Sequence, residues 1–589
     1  MELSATEFVI FLLASVLTYF PEELDDTRHP RDYADCFFCD TIIFDFIIVG
    51  AGSAGAVVAN RLTENPNWTV LLIEAGGDEN FVTDVPLFYQ HLWHTRFDWN
   101  YTTVRQRKAC LSTGGICDYP RGKALGGSST TNAMMYVRGN RADFDEWEAA
   151  GNPGWGYNSV LPYFLKSQNV TIPELQNSPF HSTKGPLSVS YARYHTPARD
   201  DILRAGIEFG LPVRDYNGII QNGIAPTQLT TDGTTRASTA KAFLDPIRGR
   251  RNLFIYKESH VTKVIINPRT RKALGVEFLH KRRLRRVFAI KEVILSAGSI
   301  NTPQLLMLSG IGPRDHLMEK KIPVIADLPV GKNLQDHNLV GIQFLLNQQV
   351  NIINSLFLNS TAILQYARSR NGILTTNGID ALAFFNLMKN DLLPPEIQFH
   401  VTTLTPNQRN LPILVIGVTL LDPESVGDVR LNTTNPFHKP LINPNYYQVK
   451  RDFDRTIAGL KEAINFMSTN ALRKYQPRLI TTNVPTCTPF IQVSLDAYLE
   501  CYVKFHTRTI YHPVGTAKMG PRSDPTTVVD SELQVHGIQH LRVIDASIMP
   551  KITRGNTNAP VIMIGEKGAD FIKKKYTNSL LSLILSWAR

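Results

Sequence analysis

A few residues in this sequence have the types and spacing that chemistry uses. Gly50, Gly52 and Gly55 stand in G-x-G-x-x-G order with Ser53 among them, and Glu74 follows about 20 residues later. Gly50 permits a tight turn, Gly52 lets bare backbone approach a pyrophosphate, and Gly55 lets a helix pack on a strand. A carboxylate at Glu74 is placed to accept hydrogen bonds from both ribose hydroxyls. No Arg follows it, so a 2′-phosphate would be repelled; the pattern favours FAD or NAD over NADP. The second constellation is near the other end. His512 lies in the turn-rich run IYHPVGTAKMG, and Asn556 opens the run NTNAP with Thr557. A histidine titrates near neutrality and can serve as a base. Asn556 cannot take a proton, but it can hydrogen-bond a developing oxyanion. His512 alone reads as a structural histidine in a turn; the Asn556 loop moves the reading to chemistry.

These residues need elements to hold them. Residues 43–49 are an apolar, β-branched run of strand length, 54–64 have a helical pattern, and 69–73 form a second strand that ends on Glu74. The helix start then presents free N–H groups to phosphate. The run YPRGKALGGSSTTN at 119–132 leaves backbone bare at Gly122, Gly126 and Gly127 and adds polar groups at Ser128, Ser129 and Asn132. Such a loop can lie flat against a cofactor. Residues 151–225 lack a βαβ pattern and read as a lid or part of a second domain. Strand patterning returns at 253–256, 261–266, 274–279 and 287–295, read as a small antiparallel set that ends in Ser296-Ala297-Gly298. Residues 299–312 read as a helix started by Pro303 and stopped by Gly310 and Gly312. Residues 339–500 alternate strand-like runs with a helix near 452–467, the pattern of a substrate domain inserted into a cofactor domain. A short strand then ends on Asp545 and Ala546, and a helix spans 561–571 with Asn558 as its cap and Pro560 in its first turn.

The chain has 589 residues, too many for one core, and its 43% hydrophobic and 19% charged content is that of an ordinary folded protein. The net charge of +10 reads as a solvated basic surface. Its densest cluster, from Lys281 to Arg286, falls between two strand-like runs as an exposed hairpin, and no nucleic-acid motif accompanies it. The apolar run at 8–20 is too short for an ordinary membrane span and suits a signal peptide, but Glu2 and Glu7 stand where a basic region is usual, so a retained anchor stays open. The six cysteines fall in local pairs, and proximity suggests Cys110–Cys117 and Cys487–Cys501, with Cys36 and Cys39 left. No Cys or His accompanies them at zinc-site spacing, so no metal is expected. Five N-x-S/T acceptors, at Asn67, Asn100, Asn169, Asn359 and Asn432, fit a secreted glycoprotein. The C-terminal tail is basic and then apolar, too short to span a bilayer. Membrane contact is possible only through the leader or this tail.

Four motifs in order, Gly50–Glu74, Gly122–Asn132, Gly298–Gly312 and His512 with Asn556, resemble the glucose–methanol–choline (GMC) oxidoreductases, closest to their insect glucose dehydrogenase-like branch. The resemblance covers residues 44–570 and implies an α/β fold: a Rossmann-like FAD-binding domain with an interleaved α+β substrate-binding domain. The implied division is a leader at 1–22, an N-terminal region mainly for FAD at 41–338, a substrate segment at 339–424, a C-terminal region with the catalytic loops at 425–571, and a tail at 572–589. The implied reaction is oxidation of the CH–OH group of a sugar, steroid or other lipophilic alcohol by hydride transfer to flavin N5, with His512 as base. Oxygen or a quinone-like molecule would be the electron acceptor, and dehydrogenase is favoured over oxidase. By the same resemblance Gly50, Gly52, Ser53, Gly55 and Glu74 hold the ADP half of FAD. Gly126, Gly127, Ser128 and Asn132 lie along flavin and pyrophosphate, and the Val261 backbone meets the adenine. Asp545 and Ala546 lie near the ribityl–phosphate chain, and Asn556 and Thr557 by the ring. Members that attach flavin covalently carry a His just before the loop Asn; here that position is Thr131, which implies dissociable FAD. A non-redox FAD-containing lyase, or a binding protein on the same scaffold, is the alternative.

Overall fold

The computed structural model describes residues 26–34, 43–348, 360–403, 411–482 and 484–587, together with single positions between 7 and 19. Most of the apolar leader, Cys36, Cys39 and Asn359 lie outside the described residues. Two seven-stranded sheets organise the rest.

The first sheet is built on Ile43–Val49, whose Phe44, Phe46, Ile47 and Ile48 are fully buried. It pairs in parallel with Val70–Ile73 on one side and Arg283–Leu295 on the other. Burial on both faces explains why these strands read as unbroken apolar runs. The helix Gly55–Leu62 follows the glycine turn, as the spacing predicts. The strands at 253–295 differ from the expected separate set. Leu253–Tyr256 pairs in parallel with Val70–Ile73, while Ser259–Asn267 and Lys272–His280 form an antiparallel ribbon with the first half of Arg283–Leu295. That last strand has 13 residues, long enough to serve the ribbon with one half and the parallel core with the other. The basic cluster does form the hairpin turn: Lys281 and Arg282 both have positive φ, as a two-residue hairpin requires. Leu541–Val543 completes the sheet beside residues 293–295, and the buried Arg542 guanidinium pairs with Glu292 across that junction at 2.5 Å.

The second sheet is antiparallel, with strands from residues 223 to 509. Its strand Asn338–Leu345 alternates: Val340, Ile342 and Phe344 enter a second apolar core, while Leu339, Gly341 and Gln343 face the other way. The helix Lys450–Met467 packs on this sheet at Gly459, where a Cβ would lie 2.8 Å from Val418. The α/β architecture read from the sequence is thus the one observed.

Two helices differ from expectation. The helix at 298–308 begins at Gly298, with Pro303 inside it rather than at its start. Pro303 has no N–H for the Ser299 carbonyl, and the Thr516 hydroxyl takes that carbonyl instead at 2.7 Å. The final helix is longer than 561–571; it runs from Asn558 to Trp587. Its continuation is held by Tyr576, which packs edge-on against Phe46 and Trp68, and by Lys575, 2.7 Å from Glu292. Both expected disulfides, Cys110–Cys117 and Cys487–Cys501, are present.

Candidate active site

A cavity of ≈650 Å³ lies between the two sheets. That is within the size range of cofactor and ligand sites. Its wall includes Gly50, Gly52, Ser53, Glu74, Gly127, Ser128, Asn132, Val261, Asp545, Ala546, Asn556, Thr557 and His512. Gly55 and Gly126, also singled out in the sequence, stand one layer behind. A Cβ on Gly55 would lie 1.9 Å from the Gly50 carbonyl oxygen, so its bareness serves the packing of helix on turn. Gly126 donates its N–H to the Ala51 carbonyl at 2.8 Å and ties the two glycine loops together.

One end of the cavity is a backbone cradle. Gly50 has φ +98°, and a Cβ there would strike the Ser296 carbonyl at 2.5 Å. Gly127 has φ +53°, and its Cβ would sit 2.7 Å from Gly52 Cα. The two loops therefore meet backbone to backbone, with no side chain between them. Glu74 is buried, and burial pushes its carboxyl above the usual range. One oxygen accepts the Ala51 N–H at 2.9 Å and the other the Gly76 N–H at 2.8 Å. A carboxylate has about four acceptor positions, so the group keeps capacity to accept from a ribose hydroxyl. The helix Asn558–Trp587 begins at the wall, where the Ser53 hydroxyl donates to Asn558 Oδ1 at 2.7 Å. Asp545 accepts from the Gly298 N–H and the Thr302 hydroxyl, at 2.9 and 2.6 Å, and so anchors the start of the helix at 298–308. Asn132 Oδ1 is already engaged by the Met134 N–H and by the buried Arg236. The residues present fit FAD: bare loops for a pyrophosphate, helix starts facing it, and a buried carboxylate for a ribose.

At the other end His512 and Asn556 meet. Asn556 Nδ2 lies 3.2 Å from His512 Nε2, although 44 residues separate them. The turn that presents His512 is strained: Tyr511 has φ +67°, uncommon for a bulky residue. It is held from several sides. The Thr509 hydroxyl accepts the Tyr511 N–H at 2.7 Å, Arg121 donates to the Tyr511 carbonyl at 2.7 Å, and Asp336 accepts the His512 N–H at 2.8 Å. Asp336 also receives the hydroxyls of Tyr119, Tyr446 and Thr509. Burial, with His337, Arg121 and His400 nearby, pushes His512 well below its ordinary pKa. The ring is neutral at pH 7.

Several groups around His512 escaped the sequence reading. His337 stacks edge-on with His512, its Nδ1 3.0 Å from the Nδ1 of His512. Gln398 donates to Asn556 Oδ1 at 3.1 Å, and His400, on the same face of the strand Ile397–Thr402, lines the cavity. The one signal available was the polar alternation Gln398, His400, Thr402 in an otherwise apolar strand.

Residues 44–339 match the N-terminal model of the GMC oxidoreductases and residues 423–565 the C-terminal model. The chain is 39% identical to glucose dehydrogenase [FAD, quinone] of Drosophila pseudoobscura pseudoobscura, over 92% of this chain and 89% of that one. It is 36% identical to ecdysone oxidase of Bombyx mori, over 91% and 82%. Its fold superposes on pyridoxine 4-oxidase from Mesorbium loti with a TM-score of 0.78 at 29% identity, covering 90% and 98% of the two chains. With two family models matched in order and relatives aligned along almost its whole length, the chain belongs to the GMC oxidoreductases.

Proposed function

We propose that this chain oxidises the CH–OH group of an alcohol, with FAD as its redox group and His512 as the base. The observation that carries the reading is the pair His512 and Asn556, 3.2 Å apart on the wall of the cavity that the glycine loops also line. FAD, when bound, supplies the acceptor for the hydride that an alcohol must lose. The chain supplies the rest. Neutral His512 takes the hydroxyl proton, and the amide of Asn556 hydrogen-bonds the oxygen as its charge grows. Gly50, Gly52, Ser53 and Glu74 hold the ADP half, with Gly55 shaping the turn. Gly126, Gly127, Ser128 and Asn132 form the loop along the isoalloxazine and pyrophosphate, and the Val261 backbone meets the adenine. Asp545 and Ala546 flank the ribityl chain, and Asn556 and Thr557 the ring.

The substrate is a sugar, a steroid or another lipophilic alcohol; relatives named for glucose and for ecdysone support both ends of that range. A quinone-like acceptor is supported by the name of the Drosophila relative, and dehydrogenase is favoured over oxidase. We place the protein in an oxidising, extracellular or lumenal compartment. Two disulfides support this, as do exposed glycosylation acceptors at Asn67, Asn100 and Asn432. Among the described residues no helix is long and apolar enough to cross a membrane.

The test is an anaerobic absorbance spectrum of the purified holoenzyme with sugars, sterols and primary alcohols in turn. One class should bleach the flavin bands, and admitting air should restore them slowly if the enzyme is a dehydrogenase. Flavin bands that no alcohol bleaches would remove the redox reading. The same preparation tests the mode of attachment. Thr131 lines the cavity and offers no ring nitrogen for a covalent bond. Acid precipitation should leave the yellow colour in the supernatant, and a yellow pellet would contradict this.

A further inference from the structure

His337 has no role in the reaction above, yet it is fully buried and bridges two partners. Its Nε2 lies 2.8 Å from the Leu421 carbonyl oxygen, and its Nδ1 lies 3.0 Å from Nδ1 of His512. A carbonyl oxygen only accepts hydrogen bonds. His337 therefore carries its proton on Nε2. Burial pushes its pKa down to about 4, so the ring is neutral and Nδ1 holds a lone pair. The contact between the two Nδ1 atoms is then a hydrogen bond only if His512 donates. That places the proton of neutral His512 on Nδ1 and leaves the lone pair on Nε2. The chain of bonds continues with the same polarity: Asn556 Nδ2 donates to His512 Nε2 at 3.2 Å, and Gln398 Nε2 donates to Asn556 Oδ1 at 3.1 Å. One main-chain carbonyl sets the direction of every bond in the series.

We propose that His337 is a positioning residue that fixes the tautomer of His512, with the Leu421 carbonyl as the origin of the polarity. This rests on His512 acting as the base. In the opposite tautomer two lone pairs would face each other across 3.0 Å, and a proton on Nε2 would stand where the substrate proton must arrive. The sequence places Asp336 beside His337, and Asp336 accepts the His512 main-chain N–H. One dipeptide thus holds both the backbone and the ring of the base. In the reaction Asn556 turns its N–H from Nε2 to the substrate oxygen, the alcohol O–H bond breaks with its electron pair staying on oxygen, and an N–H bond forms at Nε2. FAD, when bound, would supply the oxidant for the C–H electron pair. The Nδ1–H of His512 stays in place and keeps donating to His337. The other charged or titratable groups facing His512 are Asp336, Arg121 and His400, and a change at His337 leaves all three present.

The direct test is ¹⁵N NMR of holoenzyme labelled at its histidine rings, with His512 assigned by its loss in His512→Gln. The expected result is a protonated Nδ1 and a bare Nε2 on His512. A protonated Nε2 would overturn the proposal. This measurement needs no turnover, so it separates the tautomer from the alcohol-oxidation reading. Kinetics supply the second arm. His337→Leu should lower kcat by about 10²-fold or more while KM and FAD content change little. His337→Asn keeps an acceptor oxygen near the lost Nδ1 and should recover at least about tenfold of that loss. Equal losses in the two variants, or full kcat in His337→Leu, would overturn the positioning role. A Leu variant that fails to hold FAD leaves the decision to the labelled wild-type spectrum.

Discussion

Replacing His512 with Ala is expected to lower kcat/KM for alcohol oxidation by about 10²–10⁴-fold with FAD still bound. The size follows from what is lost. The alcohol must give up its hydroxyl proton as hydride leaves, and among the described wall residues it is the His512 ring nitrogen that lies 3.2 Å from the Asn556 amide. FAD should stay, because the proposed nucleotide cradle comprises Gly50, Gly52, Gly127 and Glu74 and does not include His512. Flavin absorbance per protein and steady-state kinetics check the two halves separately. The pH profile gives a second signature. Burial lowers the His512 pKa, so the unprotonated form dominates from neutrality down to well below pH 6.5. Wild-type kcat/KM should be flat there and fall only when acid finally protonates the ring. The Ala variant should lack that acid limb. Unchanged turnover in His512→Ala would end the assignment of the base.

Gly127→Ala should cost the enzyme its cofactor. Two independent penalties coincide at this residue. Its backbone, at φ +53° and ψ −132°, lies in a region open essentially to glycine alone, which strains any residue with a Cβ by about 1–3 kcal/mol. The added methyl would also sit 2.7 Å from Gly52 Cα, and backbone cannot turn aside as a flexible side chain can. The loops would be forced apart where they jointly face the cavity. FAD affinity should fall by at least about 10²-fold, since loss of only 2–3 kcal/mol of binding does that. Equilibrium dialysis with FAD measures it, and circular dichroism tells loss of cofactor from loss of fold. A Gly127→Ala enzyme that purifies with a full complement of FAD would show that the two loops are not the cradle.

The features legible in the sequence are those where backbone geometry permits one residue type or where burial permits one class. Gly50, Gly52 and Gly55 could be read because their tasks exclude side chains, and the strand Ile43–Val49 because burial on both faces demands an apolar run. His512 and Asn556 could be read because their loops carry turn residues around a polar group. His337 could not. It sits at the end of a loop, and its partner is 175 residues away. Nothing in its neighbourhood marks it; its meaning comes from the register that brings Leu421 and His512 to either side of it. Arg283–Leu295 misled for a related reason. Local pattern shows that it is a strand, but not that its two halves pair differently. Pro303 misled because a rule about helix starts ignores a distant hydroxyl, that of Thr516, which repairs the missing bond.

The strand Leu541–Val543 has a consequence for how the protein is made. The edge of residues 293–295 that it covers belongs to a sheet begun at Ile43. At roughly 5–20 residues per second a ribosome needs about 12–50 s to travel from Leu295 to Leu541. Through that interval the nascent chain carries an open strand edge, the kind of surface that pairs with other chains. It also lacks Asp545, Asn556 and the start of the last helix, so the cavity has only part of its wall. Cofactor loading is therefore among the last events of biogenesis, after nearly the whole message has been read. A premature stop between residues 295 and 541 is expected to leave that edge uncovered and the cavity wall incomplete, not to give a shorter working enzyme.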